Sequence, residues 1–255
     1  MAFVIGLAGK GGTGKTTIAA LTVRYLLEKR KKAVLAVDAD SNSCLNEALG
    51  VEIHATIGKL REDSLAAVRS GGERPGGMSM EQLFDYQVQQ SIIESTGFDL
   101  MVMGRPEGPG CYCAANNIIR KYTDQLSEKY AYVVIDNEAG MEHLSRRTTH
   151  SVDLLMAVSD PTLKGLRTAG RISELVDELS LDVARRELIV NRISEEHFTK
   201  LKDAAGDLPY EKVFNVPNDD RIFELDLEGR PVFELPADSA AVQKVFAILD
   251  SFDIP

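Results

Sequence analysis

The sequence predicts a doubly wound α/β fold, a mainly parallel sheet with helices on both faces, and three observations lead there. Short runs rich in Val, Ile, Leu or Met recur at 2–8, 33–38, 100–103, 132–136, 154–158, 187–191 and 212–216. Strands buried on both faces read as such continuous apolar runs, whereas half-exposed strands alternate. Amphipathic stretches such as 17–28, 118–130 and 168–179 lie between most of them, and this alternation marks parallel βαβ units. The first run also passes through a glycine-rich turn straight into the first amphipathic stretch, with Ile18, Leu21, Val23, Leu26 and Leu27 as its apolar positions.

That turn reads Gly9-Lys10-Gly11-Gly12-Thr13-Gly14-Lys15-Thr16-Thr17. It satisfies the phosphate-loop pattern of glycine, four residues, glycine, lysine and Ser/Thr, in the required strand–turn–helix setting. Gly9, Gly11, Gly12 and Gly14 let the backbone approach an anion and turn its N–H groups inward, and the helix N-terminus adds partial positive charge. Lys15 is expected to reach the β and γ phosphates and the Thr16 hydroxyl to ligate Mg²⁺. The expected ligand is a nucleoside triphosphate, ATP or its product ADP.

In a parallel sheet the C-terminal ends of the strands share one edge, so residues just after strands converge. The second run ends in Asp38-Ala39-Asp40-Ser41-Asn42 and the fourth in Asp136-Asn137-Glu138-Ala139-Gly140. Beside a phosphate loop, such carboxylates hold the water shell of Mg²⁺ or orient an attacking water; capping of the following helices is the competing role. The stretch 70–79 reads as a loop. With no repeats and no linker, residues 1–255 are expected to form one domain.

Composition narrows the partners. With 44% hydrophobic and 27% charged residues the 255-residue chain is ordinary for a globular protein, and its formal net charge of −10 offers no global attraction to nucleic acid or anionic lipid. No apolar run approaches a membrane span and the N-terminus lacks signal-peptide regions, so the expected location is the cytoplasm. Three cysteines, an odd number, point to thiol chemistry rather than a disulfide framework. Cys44 stands alone in a helical stretch and is expected to pack. Cys111 and Cys113, in Gly108-Pro109-Gly110-Cys111-Tyr112-Cys113, follow the third run and precede a helix starting near Ala114. They therefore sit on the nucleotide edge at a helix N-terminus, where thiolates are favoured. Two thiolates are half of a tetrahedral soft-metal site, and a twofold axis would complete four sulfur ligands for Ni²⁺ or Zn²⁺.

The loop with Lys10, together with Asp38-x-Asp40 and Asp136-x-x-Ala139-Gly140, resembles the deviant phosphate-loop ATPases that include the nitrogenase iron protein, MinD and ParA, over nearly the whole chain. The resemblance implies a homodimer closed face to face around two ATP molecules, with Lys10 crossing to the partner's phosphates. It further implies that Asp40 orients the hydrolytic water, that Asp38 and Asp136 sit in the water shell of Mg²⁺, and that Asn191 of Asn191-Arg192 contacts the adenine. Val216-Pro217-Asn218-Asp219 resembles the family's second base-binding loop. The segment around Cys111 resembles that around one cluster cysteine of the iron protein, but His143 stands at the second cluster position, so a bridged four-iron cluster is not expected. His143 is read as a helix-surface residue, with an extra metal ligand as the alternative.

Cys111 and Cys113 with Asp136-Asn-Glu-Ala-Gly-Met-Glu-His143 are similar to the CooC-type ATPases that handle nickel in carbon monoxide dehydrogenase maturation. The implied function is an ATP-dependent metallochaperone, with carbon monoxide dehydrogenase as partner. The alternatives are a positioning switch like MinD or ParA and a redox iron protein with another interfacial metal centre. A MinD-like protein should end in a basic amphipathic helix, whereas 241–255 carries two aspartates and one lysine. A ParA-like one needs basic surface for DNA.

Overall fold

The computed structural model describes residues 2–69, 79–105, 111–126, 128–138 and 151–255. Strand β1 (Phe3–Gly9) leads into α1 (Lys15–Tyr25), which continues as a π-helical turn, Leu26–Arg30. There follow β2 (Val34–Ala39), α2 (Leu45–Leu49), α3 (Ile57–Arg69), α4 (Met80–Gln90), β3 (Ile93–Glu94), β4 (Phe98–Val102), α5 (Cys111–Leu126) and β5 (Tyr132–Asn137). The rest comprises β6 (Ser151–Val152), β7 (Leu154–Ser159), α6 (Leu163–Glu178), β8 (Asp182–Val183), β9 (Arg186–Asn191), α7 (Glu195–Ala205), β10 (Lys212–Val216), α8 (Asp220–Leu227) and α9 (Ala240–Asp250).

Eight strands form one sheet in the order β10-β9-β7-β1-β5-β2-β4-β3, parallel except for the β3–β4 pair, and β6 and β8 make a separate two-stranded parallel ribbon. The central strands are buried along their whole length, as their unbroken apolar runs require. Alternate side chains feed opposite faces. Leu7, Ala36 and Val134 pack with Ile18 and Leu21 of α1 and Val245 and Leu249 of α9. Val37, Met101 and Ile135 pack with Ile57, Val88 and Ile119 of α3, α4 and α5, while Leu188 and Val190 meet Leu166 and Phe198 of α6 and α7. Helices thus cover both faces.

β1 lies between β7 and β5, while the chain runs from β1 to β2 beyond β5. This is the switch point at which open α/β sheets bind ligands. The expected strands all form within one or two residues. The stretch expected at 118–130 starts earlier and stops earlier, as α5, because Lys129 N–H turns back to the Leu126 carbonyl (2.8 Å) before β5. Of the expected loop at 70–79, all but Ser79 lies outside the described residues; Ser79 caps α4 through a reciprocal pair with Gln82.

Candidate functional site

The loop between β1 and α1 is shaped by glycine where nothing else fits. Gly9 lies in register with Val158 of β7, at φ 152°, and a Cβ there would overlap the Val158 carbonyl. Gly14 holds the left-handed φ of 91° that starts α1, and a Cβ there would overlap the Asn191 carboxamide. The Thr13 hydroxyl donates to the Lys10 carbonyl (2.9 Å), and Lys15 Nζ donates to the same oxygen (3.4 Å). Lys15 is buried; desolvation pulls its pKa below the usual lysine value, against the opposing charges of Asp136 and Asp40. Lys10, Gly11 and Gly12 are exposed.

Asp38 and Asp136 sit side by side in register on β2 and β5, both buried, within the strands rather than after them. Asp38 accepts the N–H groups of Asp40 (3.0 Å) and Leu45 (2.9 Å), which folds the 40–45 segment back onto the end of β2. Burial pushes its pKa up to about 7. Burial also raises Asp136 to about 6, against the hydrogen bond donated by Thr16 and the Lys15 charge. Thr16 Oγ1 reaches Asp136 Oδ2 at 2.6 Å, while Asp136 Oδ1 is buried with no hydrogen-bond partner. A buried carboxylate oxygen without a donor, next to a hydroxyl, is a hard-oxygen set that suits Mg²⁺ or its bound water. Asp40 is half-buried at the mouth and is oriented by the Asn42 backbone (2.8 Å) and side-chain (3.1 Å) N–H groups. Ser41 donates to Glu138 (3.0 Å) and ties the two carboxylate-bearing segments together.

Asn191, buried at the end of β9, donates to the Thr13 carbonyl (2.9 Å) and accepts the Arg192 N–H (3.0 Å). Arg192 has a left-handed φ of 60° and its guanidinium donates to the Gly12 carbonyl (3.3 Å). Beyond them opens a cleft of about 1330 Å³ whose walls include Thr17, Asn191, Arg192, Pro217 and Asn218, room enough for a nucleoside. Val216, expected with Pro217 and Asn218, is instead packed in the core and supplies only backbone, pairing with Asn191 across β9–β10.

The structure therefore gathers the phosphate loop, Asp38, Asp40, Asp136 and Asn191 at one edge, with Pro217 and Asn218 along its cleft. Cys111 and Cys113 open α5, but their side chains lie outside the described residues, as do residues 108–110, Ala139, Gly140 and His143. Among the described residues no group of three or more His, Cys, Asp or Glu is placed to hold a metal ion. Cys44 corrects an expectation. It is exposed at the N-cap of α2 and lines the same cleft, because Ser41-Asn42-Ser43 delay the helix until Leu45. Two participants escaped sequence reading. Arg192 was seen only as a neighbour of Asn191, and the Ser41–Glu138 tie depends on strand register, although Glu138 stands two residues after Asp136.

Comparison with known proteins agrees with this geometry. A family model described as the CobQ/CobB/MinD/ParA nucleotide binding domain matches residues 4–232. An uncharacterized ATP-binding protein of Methanocaldococcus jannaschii is 38% identical over 247 residues, covering 97% of each chain. The carbon monoxide dehydrogenase accessory protein CooC of Rhodospirillum rubrum is 32% identical over 185 residues, 69% of this chain and 70% of that one. The solved MinD of Pyrococcus horikoshii, complexed with Mg-ADP, superposes with a TM-score of 0.64 at 21% identity, covering 99% of this chain and 96% of that one, and shows the shared fold. Among the described residues no helix is long and apolar enough to cross a membrane. A phosphate loop at the switch point of the sheet and a family match over most of the chain lead to one conclusion: the chain belongs to the CobQ/CobB/MinD/ParA family of P-loop ATPases.

Proposed function

We propose that this protein hydrolyses ATP as a homodimer and carries a soft metal ion, nickel or zinc, between Cys111 and Cys113 of its two protomers, to supply nickel to carbon monoxide dehydrogenase in the cytoplasm. The observation that supports it most is the shared sheet edge. The phosphate loop follows β1, Asp38, Asp40 and Asp136 stand at the ends of β2 and β5, and α5 opens with the two cysteines after β4. The identity with CooC adds support.

In this reading the loop N–H groups and the N-terminus of α1 receive the phosphates, and Lys15 leaves the Lys10 carbonyl for the β and γ oxygens. Thr16 and Asp136 would hold Mg²⁺, which neutralises phosphate charge when bound. Asp40, held by Asn42, accepts a hydrogen bond from water and aims it at the γ-phosphorus. The water oxygen–phosphorus bond forms as the bond to the ADP oxygen breaks, ADP keeps the electron pair, and the water's protons leave on the released inorganic phosphate. Lys10, exposed, reaches the partner's phosphates, and Asn191, Pro217 and Asn218 hold the base. The Ser41–Glu138 hydrogen bond makes both carboxylate segments respond together to the γ-phosphate, which gives a two-state element able to move an interfacial metal site.

Activation of apo carbon monoxide dehydrogenase tests this. Activity should appear only with this protein, nickel and ATP together; equal activation without ATP contradicts the switch, and no activation contradicts the client.

A further inference from the structure

We propose that the basic run Lys29-Arg30-Lys31-Lys32, on the sheet edge opposite the nucleotide site, is a docking surface for an acidic segment of a partner protein. Four consecutive cations stand out in a chain of formal net charge −10. The backbone presents them in an unusual way. α1 ends in the π-helical turn Leu26–Arg30, which Lys31 closes by donating its N–H to the Leu26 carbonyl (2.9 Å) from a left-handed φ of 55°. The turn closes the C-terminus of α1 and directs the cations that follow away from the helix axis, and a left-handed lysine costs free energy that needs a return elsewhere.

Lys29, Lys31 and Lys32 are exposed, and none forms an ion pair among the described residues. Two of the four charges are held in place: the Arg30 guanidinium lies 5.5 Å from the Tyr25 ring centre and the Lys32 ammonium 5.9 Å from that of Tyr132. Cations resting on aromatic rings lose less freedom when an anion arrives. Beside them opens a cleft of about 540 Å³ lined by Lys31, Lys32, Ser95, Thr96, Phe98 and Tyr130. Asp99 also lines it, with its carboxylate taken by the Tyr130 hydroxyl.

The occupant follows from size and charge. A nucleic acid duplex or an anionic bilayer is broad enough to meet the acidic remainder of the surface and be repelled, while a short acidic segment meets only the run. The cleft admits side chains, with hydroxyl donors at Ser95 and Thr96 and a ring at Tyr130, where a flat bilayer cannot enter. From Lys15 to Arg30 the helix spans roughly 24 Å, so docking leaves the nucleotide site open.

The test is fluorescence anisotropy of a labelled glutamate-rich peptide against the full chain. Wild type should bind it, more weakly as salt rises, and the combined Lys29→Gln, Lys31→Gln, Lys32→Gln variant should bind roughly tenfold more weakly with its ADP affinity unchanged. Removing Lys200, Lys202 and Lys212 instead controls for net charge and should change little. Thermal melting of each variant separates lost docking from lost folding, and the single variants serve if the triple one melts early. No binding by wild type, equal binding by the triple variant, or equal weakening by the control set overturns the proposal. So does lysine-dependent capture of duplex DNA or phosphatidylserine vesicles in place of the peptide.

Discussion

Gly14→Ala should damage stability and nucleotide binding together, and its size can be worked from the structure. At φ 91° an alanine sits in the left-handed region, which costs about 1 kcal/mol. Its Cβ would overlap Asn191 Nδ2, whose hydrogen bond to the Thr13 carbonyl (2.9 Å) must then break. Loss of that bond, with the buried carboxamide left unsatisfied, adds about 2 kcal/mol. Together about 3 kcal/mol corresponds to roughly 6–12 °C in Tm for a chain of this size. ADP affinity should fall as well, because Asn191 shares the cleft wall with the loop it braces. Calorimetry gives the first quantity and titration the second. Asn191→Gly in the Gly14→Ala background should recover part of the stability by removing the overlap. A Tm within about 1 °C of wild type with normal ADP binding would refute the claim that the Asn191 carboxamide and Gly14 are closely fitted.

Three other outcomes follow. Lys15→Ala should abolish nucleotide binding, whereas Lys10→Ala should keep ADP affinity and lose ATP-driven pairing and hydrolysis; equal loss of ADP affinity by titration rejects a role for Lys10 in the partner's site. Asp40→Asn should accumulate an ATP-bound dimer with little turnover, and sedimentation showing only monomer contradicts it. Without nucleotide, the raised carboxyls of Asp38 (about 7) and Asp136 (about 6) keep protons in the folded chain that the unfolded chain has already lost. Their contribution to stability therefore falls as pH rises from about 4 through 7. Denaturant midpoints should be lower at about pH 8 than at about pH 5, with a smaller gap in Asp38→Asn; a flat or rising profile counts against burial holding these two carboxyls protonated.

The sequence carried the frame of the molecule because its strands are buried on both faces. The runs 154–158 and 132–136 read as strands from apolar content alone and form Leu154–Ser159 and Tyr132–Asn137, and a glycine-rich turn between strand and helix marks a phosphate site without knowledge of the sheet order. The pairs Ile93–Glu94, Ser151–Val152 and Asp182–Val183 stayed hidden since two residues show no period. Around the site, residue types were legible and their connections were not. That Thr16 meets Asp136, that Asp38 anchors Leu45, and that Asn191 fills the space over Gly14 all depend on register and crossover geometry. Cys44 was misread because helix periodicity was extended back through a turn-rich segment to a position that caps α2.

Nickel titration in two nucleotide states tests the central claim most directly, since linkage requires that metal and nucleotide bias the same equilibrium equally. With a nonhydrolysable ATP analogue and with ADP, the protein should bind nickel with different affinity or stoichiometry. Binding should approach one ion per dimer in the favoured state, weaken at acidic pH as thiolates are protonated, and vanish in Cys111→Ser and in Cys113→Ser. Identical titrations in the two nucleotides, or undiminished nickel in both serine variants, would contradict the account.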